Sequence, residues 1–307
     1  MAAQLRHHAS DQSQAGFSLT EALIATSILL LLFSAATNGL NQTVTFSRTT
    51  TNRAEMHGSV RGATELLQQE IGQAGRVTLP GPIALAGAVT KGVAQTVALT
   101  TAAGLFTGAN VVIGTGMLGE TVTITGIAGT SITGNFTVDH AAGEPLQIYG
   151  GFGTGVVPPT QTNGSTGTVL KLYGDINDDG QMLYVEYTCN VATNSLYRNV
   201  MAWNAGSKPA LTPGMVLLNN VIANPGNAPC FTYQVEDVAG LKFVTGVAVT
   251  LSVHSQQKDA YSKQFQQATK TLLNVSPRNI FLVWTMESIG VHNRLQPMPP
   301  TILALLP

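Results

Sequence analysis

The amino-acid sequence predicts an α+β fold, in which one long N-terminal α-helix packs on antiparallel β-structure. The stretch from Phe17 to Ala36 is apolar and carries a single charge, and about 20 such residues can cross a bilayer as a helix. Apolar residues then recur at steps of three and four as far as Ala74, which is the period of an amphipathic helix. Beyond Pro82 apolar and polar residues alternate, which is the period of a strand. The expected parts are a helix over residues 17–78, with 17–36 as its transmembrane part, a β-rich insertion lobe over 79–150, and an antiparallel β domain with a Pro-rich tail over 151–307.

The junction before the apolar stretch combines a glycine, an aromatic residue and an early carboxylate. It reads Gly16-Phe17-Ser18-Leu19-Thr20-Glu21. A carboxylate at the centre of a bilayer costs about 2.5 to 3.5 kcal/mol on insertion scales, and less near one end. The presence of Glu21 in an apolar segment therefore indicates a function for its charge. The junction resembles the type III signal of type IV prepilins and pseudopilins, in which Phe follows the cleaved Gly and Glu is the fifth mature residue.

The resemblance implies a use for each part of this segment. A prepilin peptidase would cut between Gly16 and Phe17, residues 1–16 would leave as a leader peptide, and the new amino terminus of Phe17 would become N-methylated. In a filament, Glu21 would face the amino terminus of a neighbouring subunit and set the axial register, because their pairing offsets the desolvation of both charges. The implied partners are the prepilin peptidase, other pilins or pseudopilins and the inner-membrane assembly platform. The implied fold is pilin-like.

Two simpler explanations of the apolar stretch compete with this one. An ordinary secretory signal peptide has an apolar core of about 7 to 15 residues and a small-residue cleavage site. Ser34-Ala35-Ala36 could serve as that site, but Glu21 and the 16 residues ahead of Phe17 argue against it. A plain single-span anchor would not account for Gly16 and Glu21 together.

The helical pattern continues beyond the apolar stretch. Residues Thr43–Thr51 are rich in β-branched side chains and follow Gly39, so we expect a weak or bent middle in the helix. Gly75 followed by two prolines predicts that the helix ends near Gly75. The apolar face of the second half is expected to contain Met56, Val60, Ala63, Leu67, Ile71 and Ala74.

Short alternating runs predict the strands of both β regions. Asp139, His140 and Glu144 lie close together in the lobe, and their spacing favours a surface turn over a site. The stretch Val275–Ile280 resembles the last paired strands of large minor pilins of the PilW-like group, and the apolar residues and Pro-rich tail after it receive no assignment. The strands are expected at 110–113, 121–125 and 131–133 in the lobe, at 168–173, 182–187 and 194–200 as a three-stranded meander, and at 241–254 and 264–275 as a hairpin with its turn at 256–260.

One turn of the meander has the spacing of a calcium-binding loop. The candidate ligands are Asp175, Asn177, Asp179, Gln181 and Glu186, which fit alternating oxygens closed by a bidentate glutamate. The flanking residues, however, indicate strands, whereas an EF-hand needs helices. An Asx-rich β-turn, in which Gly180 has a positive φ, is the alternative that remains open.

Composition and cysteine content narrow the class of protein. Charged residues are 10% of the chain and the formal net charge is -1, so no nucleic-acid partner is expected. The chain has two cysteines, Cys189 and Cys230, and their even number suggests a disulfide in an oxidising compartment, with two buried thiols as the alternative. None of the common catalytic motifs occurs, so no enzymatic activity and no cofactor beyond calcium are expected.

The function that these features indicate is structural. We expect a minor pilin of a type IV pilus, because 307 residues with an insertion are large for a repeating major subunit. The precursor would be a single-pass protein of the inner membrane, and the mature subunit would lie in a pilus at the cell surface or in a periplasmic pseudopilus. A type II secretion pseudopilin and a membrane-anchored or secreted calcium-binding adhesive module are the alternatives.

Overall fold

The computed structural model describes residues 16–115 and 119–307. It has an α+β fold, in which one long apolar N-terminal helix, α1 (Leu19–Gln73), precedes several antiparallel sheets. The leader residues 1–15 lie outside the described residues. The elements after α1 are β1 (Ile83–Ala84), β2 (Gly92–Ala98), β3 (Asn110–Ile113), β4 (Glu120–Thr123), β5 (Gly126–Ala128), β6 (Ser131–Phe136), β7 (Pro145–Ile148), β8 (Gly151–Phe152), β9 (Val169–Gly174), β10 (Leu183–Asn190), β11 (Ser195–Ala202), β12 (Val216–Asn219), β13 (Val221–Ile222), β14 (Phe231–Val238), β15 (Leu241–Lys258), β16 (Phe265–Val275), α2 (Arg278–Ser288), β17 (Leu295–Gln296) and α3 (Pro300–Leu305).

Helix α1 has two halves with different surroundings. Every side chain from Leu19 to Val44 is exposed, apart from the half-buried Thr37. In the second half one face is buried against the C-terminal sheets, and its period is that of an amphipathic helix. The predicted apolar face is confirmed, since the buried residues of this half include Met56, Val60, Ala63, Leu67, Ile71 and Ala74.

The helix is unbroken through Thr43–Thr51, where the composition predicted a weak or bent middle. The hydroxyl of Thr43 donates to the carbonyl of Gly39 at 2.9 Å, and that of Thr50 donates to the carbonyl of Phe46 at 3.0 Å. Such bonds to the preceding turn satisfy the hydroxyls within the helix. β-Branched residues therefore lower the helix propensity here without interrupting the helix.

Helix α1 spans Leu19–Gln73, so it ends where the Gly75 signal predicts and five residues before the expected bound of 78. Ala74 is its C-cap, and Gly75 has a φ of +82°, in the left-handed region that favours glycine. The amide of Gly75 donates to the carbonyl of Tyr173 at 2.9 Å, and its own carbonyl accepts from the amide of Phe152 at 2.8 Å. A Cβ on Gly75 would lie 2.8 Å from the Phe152 carbonyl oxygen, so a larger residue does not fit. The backbone after the helix thus bonds directly to β8 and β9.

The C-terminal region contains the predicted meander and hairpin. Strands β9 to β12 form one antiparallel sheet in the order β12-β11-β10-β9. In the second sheet, β15 pairs with β13 and β14, and also with β16. The turn of the β15–β16 hairpin lies at residues 259–264 rather than 256–260, because β15 continues to Lys258.

The insertion lobe consists of two small sheets, in the orders β1-β7-β3-β4 and β2-β6-β5. Alternate side chains point into its core, such as Val111 and Ile113 of β3. The same buried cluster includes Phe152, Tyr173 and Tyr184 from the next region of the chain. The lobe therefore shares its core with the outer side of β9 and β10.

The last 30 residues contact both cores: α2 packs in the main core beside α1, and α3 packs in the core of the lobe. The sequence left the residues after Ile280 unassigned and expected the end of a paired strand at Val275–Ile280, but the strand ends at Val275 and a helix begins at Arg278. Residues Arg278–Ser288 form helix α2, and α3 contributes Ile302 and Leu305 to the buried cluster of the lobe. The carbonyl of Leu306 accepts a hydrogen bond from the ammonium of Lys171, which lies on β9. The Pro-rich tail thus connects the lobe to the C-terminal sheets.

A buried ion pair joins α1 to the meander. Glu70 is 1% exposed, and its carboxylate accepts from Nε of Arg198 at 3.1 and 3.2 Å. The hydroxyl of Tyr187 also donates to Glu70. Burial, followed by the nearby carboxylate, raises the pKa of Tyr187 above its ordinary value, so this hydroxyl keeps its proton. The pair fixes the rotation of α1 relative to β10 and β11.

Replacing Glu70 with alanine should lower the free energy of unfolding by about 3 kcal/mol, because Arg198 would stay largely buried without its partner. The measurement is urea unfolding of the full chain in detergent, followed by tryptophan fluorescence. The control is Glu65→Ala, which breaks the exposed Arg61–Glu65 pair of the same helix and should cost less than about 0.5 kcal/mol. Equal losses in the two variants would contradict this role for Glu70.

Candidate functional site

The apolar first half of α1 is the part of the chain with the clearest functional signal. Within the described residues, α1 is one helix that is long and apolar enough to span a membrane. This is consistent with a single-pass membrane anchor. No charged residue lies between Ala22 and Ser47, a length of about 39 Å at 1.5 Å per residue. The large exposed apolar side chains of the first half of α1 include Leu19, Leu23, Ile24, Ile28, Leu29, Leu30, Leu31, Leu32, Phe33, Leu40, Val44 and Phe46.

The residues expected at the processing site lie just ahead of the helix. Gly16 and Phe17 are both exposed and precede the first helical residue, and the side chain of Phe17 is 87% exposed. Their backbone is therefore outside the hydrogen-bonded helix.

Glu21 has a local partner that the sequence reasoning missed. Ser18 is the N-cap of α1, and its hydroxyl accepts from the amide of Glu21 at 3.2 Å. In return the amide of Ser18 donates to Oε2 of Glu21 at 3.0 Å. This is a capping box, and its S-x-x-E signature was visible in the sequence. Glu21 therefore stabilises the start of its own helix, whatever else it contacts.

The tip of the β15–β16 hairpin holds α1 where its exposed half meets its buried half. The Nδ2 of Asn52 donates to the carbonyl of Gln257 at 2.7 Å, and the hydroxyl of Thr49 donates to Asp259 at 3.0 Å. Nε of Arg53 donates to Gln266 at 2.6 Å. Among the hydrogen bonds between α1 and the head, by which we mean residues 76–307, these lie nearest to the N-terminus of α1. The apolar half of α1 is thus bounded by a specific set of polar contacts.

Cys189 and Cys230 are joined by a disulfide with an S–S distance of 2.05 Å. Both residues are buried in the main core beside α1. Cys189 lies on β10, and Cys230 lies just before β14. The bond therefore links the two C-terminal sheets.

The five candidate calcium ligands do not form one site. The buried carboxylate of Asp175 accepts from the amides of Asp179 and Gly180 at 3.1 and 3.3 Å, and lies 3.7 Å from Nε of Arg76. Asn177 and Gln181 are exposed. The Asx-rich turn, with Gly180 at a φ of +82°, describes this loop better than the calcium loop does.

Glu186, the expected bidentate ligand, makes contacts elsewhere. Its carboxylate accepts from Nζ of Lys208 at 3.0 Å and from the hydroxyl of Tyr184 at 2.9 Å. Lys171 lies 3.7 Å away from the same oxygen. Over residues 16–115 and 119–307, no group of three or more His, Cys, Asp or Glu side chains could hold a metal ion.

His140 is buried, although its neighbourhood in the sequence predicted a surface turn. Its Nδ1 lies 2.7 Å from Glu144, and its Nε2 lies 2.8 Å from Glu120 on β4. Burial lowers the pKa of His140, but the two carboxylates outweigh burial and raise it above the ordinary 6.5. The ring of His140 therefore links β4 to the turn before β7. The predicted turn is present and exposed at residues 141–143, but the sequence did not indicate that His140 is buried, because Glu120 is brought in from a separate strand.

Comparisons with known proteins do not add to this description. No protein-family model, no curated protein and no solved structure matches the chain.

The His140 cluster should make the stability of the lobe depend on pH. The raised pKa of His140 stabilises the folded state fully below about pH 6.5, and this contribution is lost as the pH rises through the higher folded value. The lowered pKa values of Glu120 and Glu144 act in the opposite direction and favour the folded state above about pH 4.5. The measurement is the melting temperature of the chain at pH values from 4.5 upward. His140→Gln should remove the decrease in melting temperature above pH 6.5, and an unchanged decrease in that variant would assign it to other groups.

Calcium and a chelator should give the same melting temperature for the full chain in detergent. Mass action would raise it only if calcium bound the folded state, and Arg76 already supplies positive charge to Asp175. Asp175→Asn, which weakens that pair, should lower the melting temperature equally in both solutions. A rise with calcium that Glu186→Gln abolishes would restore the calcium loop.

Proposed function

We propose that this protein is a structural subunit of a type IV pilus, a minor pilin that assembles through its N-terminal helix. The observation that carries the proposal is the division of α1 into an exposed apolar half and a half buried in the head. Bare apolar side chains over a length of about 39 Å are stable in lipid or among similar helices, but not in water. A filament subunit uses both surroundings in succession, first the membrane and then a bundle of identical helices.

The junction residues support the same proposal. Prepilin peptidase would cut between Gly16 and Phe17, and Phe17 would carry the methylated amino terminus in the filament. Glu21 would then face the amino terminus of a neighbour. These roles rest on the resemblance of the junction to the prepilin signal and on the exposed, non-helical backbone at Gly16 and Phe17.

The size of the head supports a minor rather than a major subunit. The lobe of β1 to β7 and the tail that completes it add to the antiparallel region that packs on α1. A bulky head limits how closely neighbouring helices can pack along a filament. We therefore propose a low-copy or tip position. The adhesive calcium-binding alternative loses its motivation, since Asp175 and Glu186 contact other groups.

The assembly role of Glu21 can be separated from its capping role. Glu21→Gln keeps the capping box, because Gln also serves at that position, but it removes the negative charge. Incorporation of the variant into sheared pili should fall about tenfold or more, since a hydrogen bond to a charged group contributes about 1.5 to 3 kcal/mol. The measurement is quantitative immunoblotting of the pilus fraction against the membrane fraction.

Ser18→Ala is the matched control. It breaks the capping box at a cost of about 1 kcal/mol of helix stability but leaves the Glu21 charge. It should assemble nearly normally, and mass spectrometry should show an N-methylated Phe17 at the amino terminus of both variants. Normal assembly of Glu21→Gln, or equal defects in both variants, would reject the register role. Recovery of the unsubstituted protein only from a periplasmic filament would identify a type II secretion pseudopilin instead.

A further inference from the structure

The hairpin tip (residues 256–265) is the part of the head nearest to the apolar half of α1. Strand β15 runs antiparallel to α1 along this stretch, since Met56 and Ser59 line a cavity with Val253 and His254, while Asn52 bonds Gln257 further along β15. The turn that follows reaches Thr49 through Asp259. The contacts therefore progress toward the N-terminus of α1 as β15 proceeds, and the turn is their last point.

The length of the charge-free segment places this tip at a membrane surface. Glu21 and Arg48 bound the segment, and they are about 40 Å apart along an α-helix. A bilayer has a hydrocarbon core of about 30 Å and a thickness of about 40 to 45 Å with its headgroups. When Glu21 lies at one surface, Arg48 lies among the headgroups of the other. Thr49 and the hairpin tip in contact with it then lie at that same surface.

The chemistry of the tip suits lipid headgroups. Tyr261 is 63% exposed and Phe265 is 41% exposed, and aromatic side chains favour the membrane interface. Lys258 and Lys263 are exposed, and Nζ of Lys258 lies 5.6 Å from the centre of the Phe265 ring. The acidic residue of the turn, Asp259, is buried and accepts from the amides of Tyr261 and Ser262 at 3.1 and 2.8 Å.

The net charge of the hairpin tip and the adjacent turns of α1 differs in sign from that of the whole chain. Residues 48–56 and 256–265 carry four cations and two carboxylates, a net charge of +2, whereas the chain as a whole has a net charge of -1. Each basic residue near an anionic membrane surface contributes about 1 kcal/mol of attraction. The basic side chains therefore favour anionic over zwitterionic lipids. The six residues counted are Arg48, Arg53, Glu55, Lys258, Asp259 and Lys263.

We infer that the hairpin tip lies on the membrane surface and binds anionic lipid headgroups through Lys258 and Lys263, with Tyr261 inserted as an interfacial anchor. The inference goes beyond the proposed filament role and requires only that α1 crosses the membrane. It gives the head a second attachment, beside the helix, that restricts its rotation and tilt. Leaving the membrane for a filament would then break this attachment.

Fluorescence quenching by brominated lipids tests the contact in the full chain reconstituted in vesicles. Tyr261→Trp places the probe on the tip, Val93→Trp places one on the exposed lobe, and Phe33→Trp places one within the apolar half of α1. The unsubstituted chain gives the background from Trp203 and Trp284. In vesicles of phosphatidylcholine with phosphatidylglycerol, lipids brominated near the headgroup should quench Tyr261→Trp several times more than Val93→Trp.

The three probes distinguish failure of this inference from failure of membrane insertion. Quenching of Phe33→Trp by deeply brominated lipids, with equal weak quenching at positions 261 and 93, would overturn the tip contact alone. Absence of quenching at position 33 would overturn the membrane placement as well. Pilus assembly of the Glu21→Gln variant is a separate measurement, and its outcome affects neither the quenching at position 261 nor that at position 33.

A charge variant tests the preference for anionic lipid. Lys258→Gln with Lys263→Asn should lower the equilibrium for surface contact about 30-fold, from about 1 kcal/mol for each lysine. Asn is chosen at position 263 because Lys263 has a φ of +58°, which Asn tolerates. Lys91→Gln with Lys270→Gln removes the same charge from other exposed sites and should leave the quenching of Tyr261→Trp unchanged. Equal quenching of Tyr261→Trp in vesicles of pure phosphatidylcholine and in vesicles that contain phosphatidylglycerol would refute binding to anionic headgroups. Burial of the Tyr261→Trp probe only in assembled filaments would also refute it and would identify a protein interface instead.

Discussion

The continuous backbone of α1 is the constraint on which the rest of the structure depends. From Leu19 to Gln73 the helix has no break, so its apolar half cannot move relative to its buried half without bending hydrogen-bonded turns. The head is fixed to the buried half by apolar packing and by the Glu70–Arg198 pair. The position of the head relative to a membrane or a filament core is therefore set by one rigid element, because a packed helix transmits displacement along its axis.

Polar contacts mark both limits of the packed half of α1. At one limit Thr49 and Asn52 bond the hairpin tip, and at the other Gly75 bonds the backbone of β8 and β9. Apolar burial between these limits supplies most of the stabilisation, but it is nondirectional and permits sliding. Hydrogen bonds have preferred geometries, so they determine which turn of the helix meets which strand. The length of the free apolar segment follows from that register.

The helix and strands that could be predicted follow from periodic patterns in the sequence. The contacts that could not be predicted join residues far apart in the chain. Hydrophobic periodicity and the positions of Gly and Pro predict helix α1, its end near Gly75 and most of the strands. Helix α2 was missed because its apolar residues Phe281 and Leu282 are exposed, so the run has no clear one-sided pattern. The Asn52–Gln257 contact joins residues 205 positions apart, which no local signal could reveal. The Ser18–Glu21 capping box, in contrast, was local and could have been recognised.

The capping box bears on how a mature subunit could carry two charges in lipid. Oε2 of Glu21 bonds the amide of Ser18, so the carboxylate is directed back toward the residue that precedes Ser18. If cleavage creates an amino terminus at Phe17, that ammonium lies one residue from the amide already bonded to Glu21. An isolated subunit could then pair the two charges within itself, which reduces their desolvation penalty. Assembly would exchange this internal pair for a pair with a neighbour, so the tenfold loss expected of Glu21→Gln requires the neighbour pair to be stronger than the internal pair by about 1.4 kcal/mol or more.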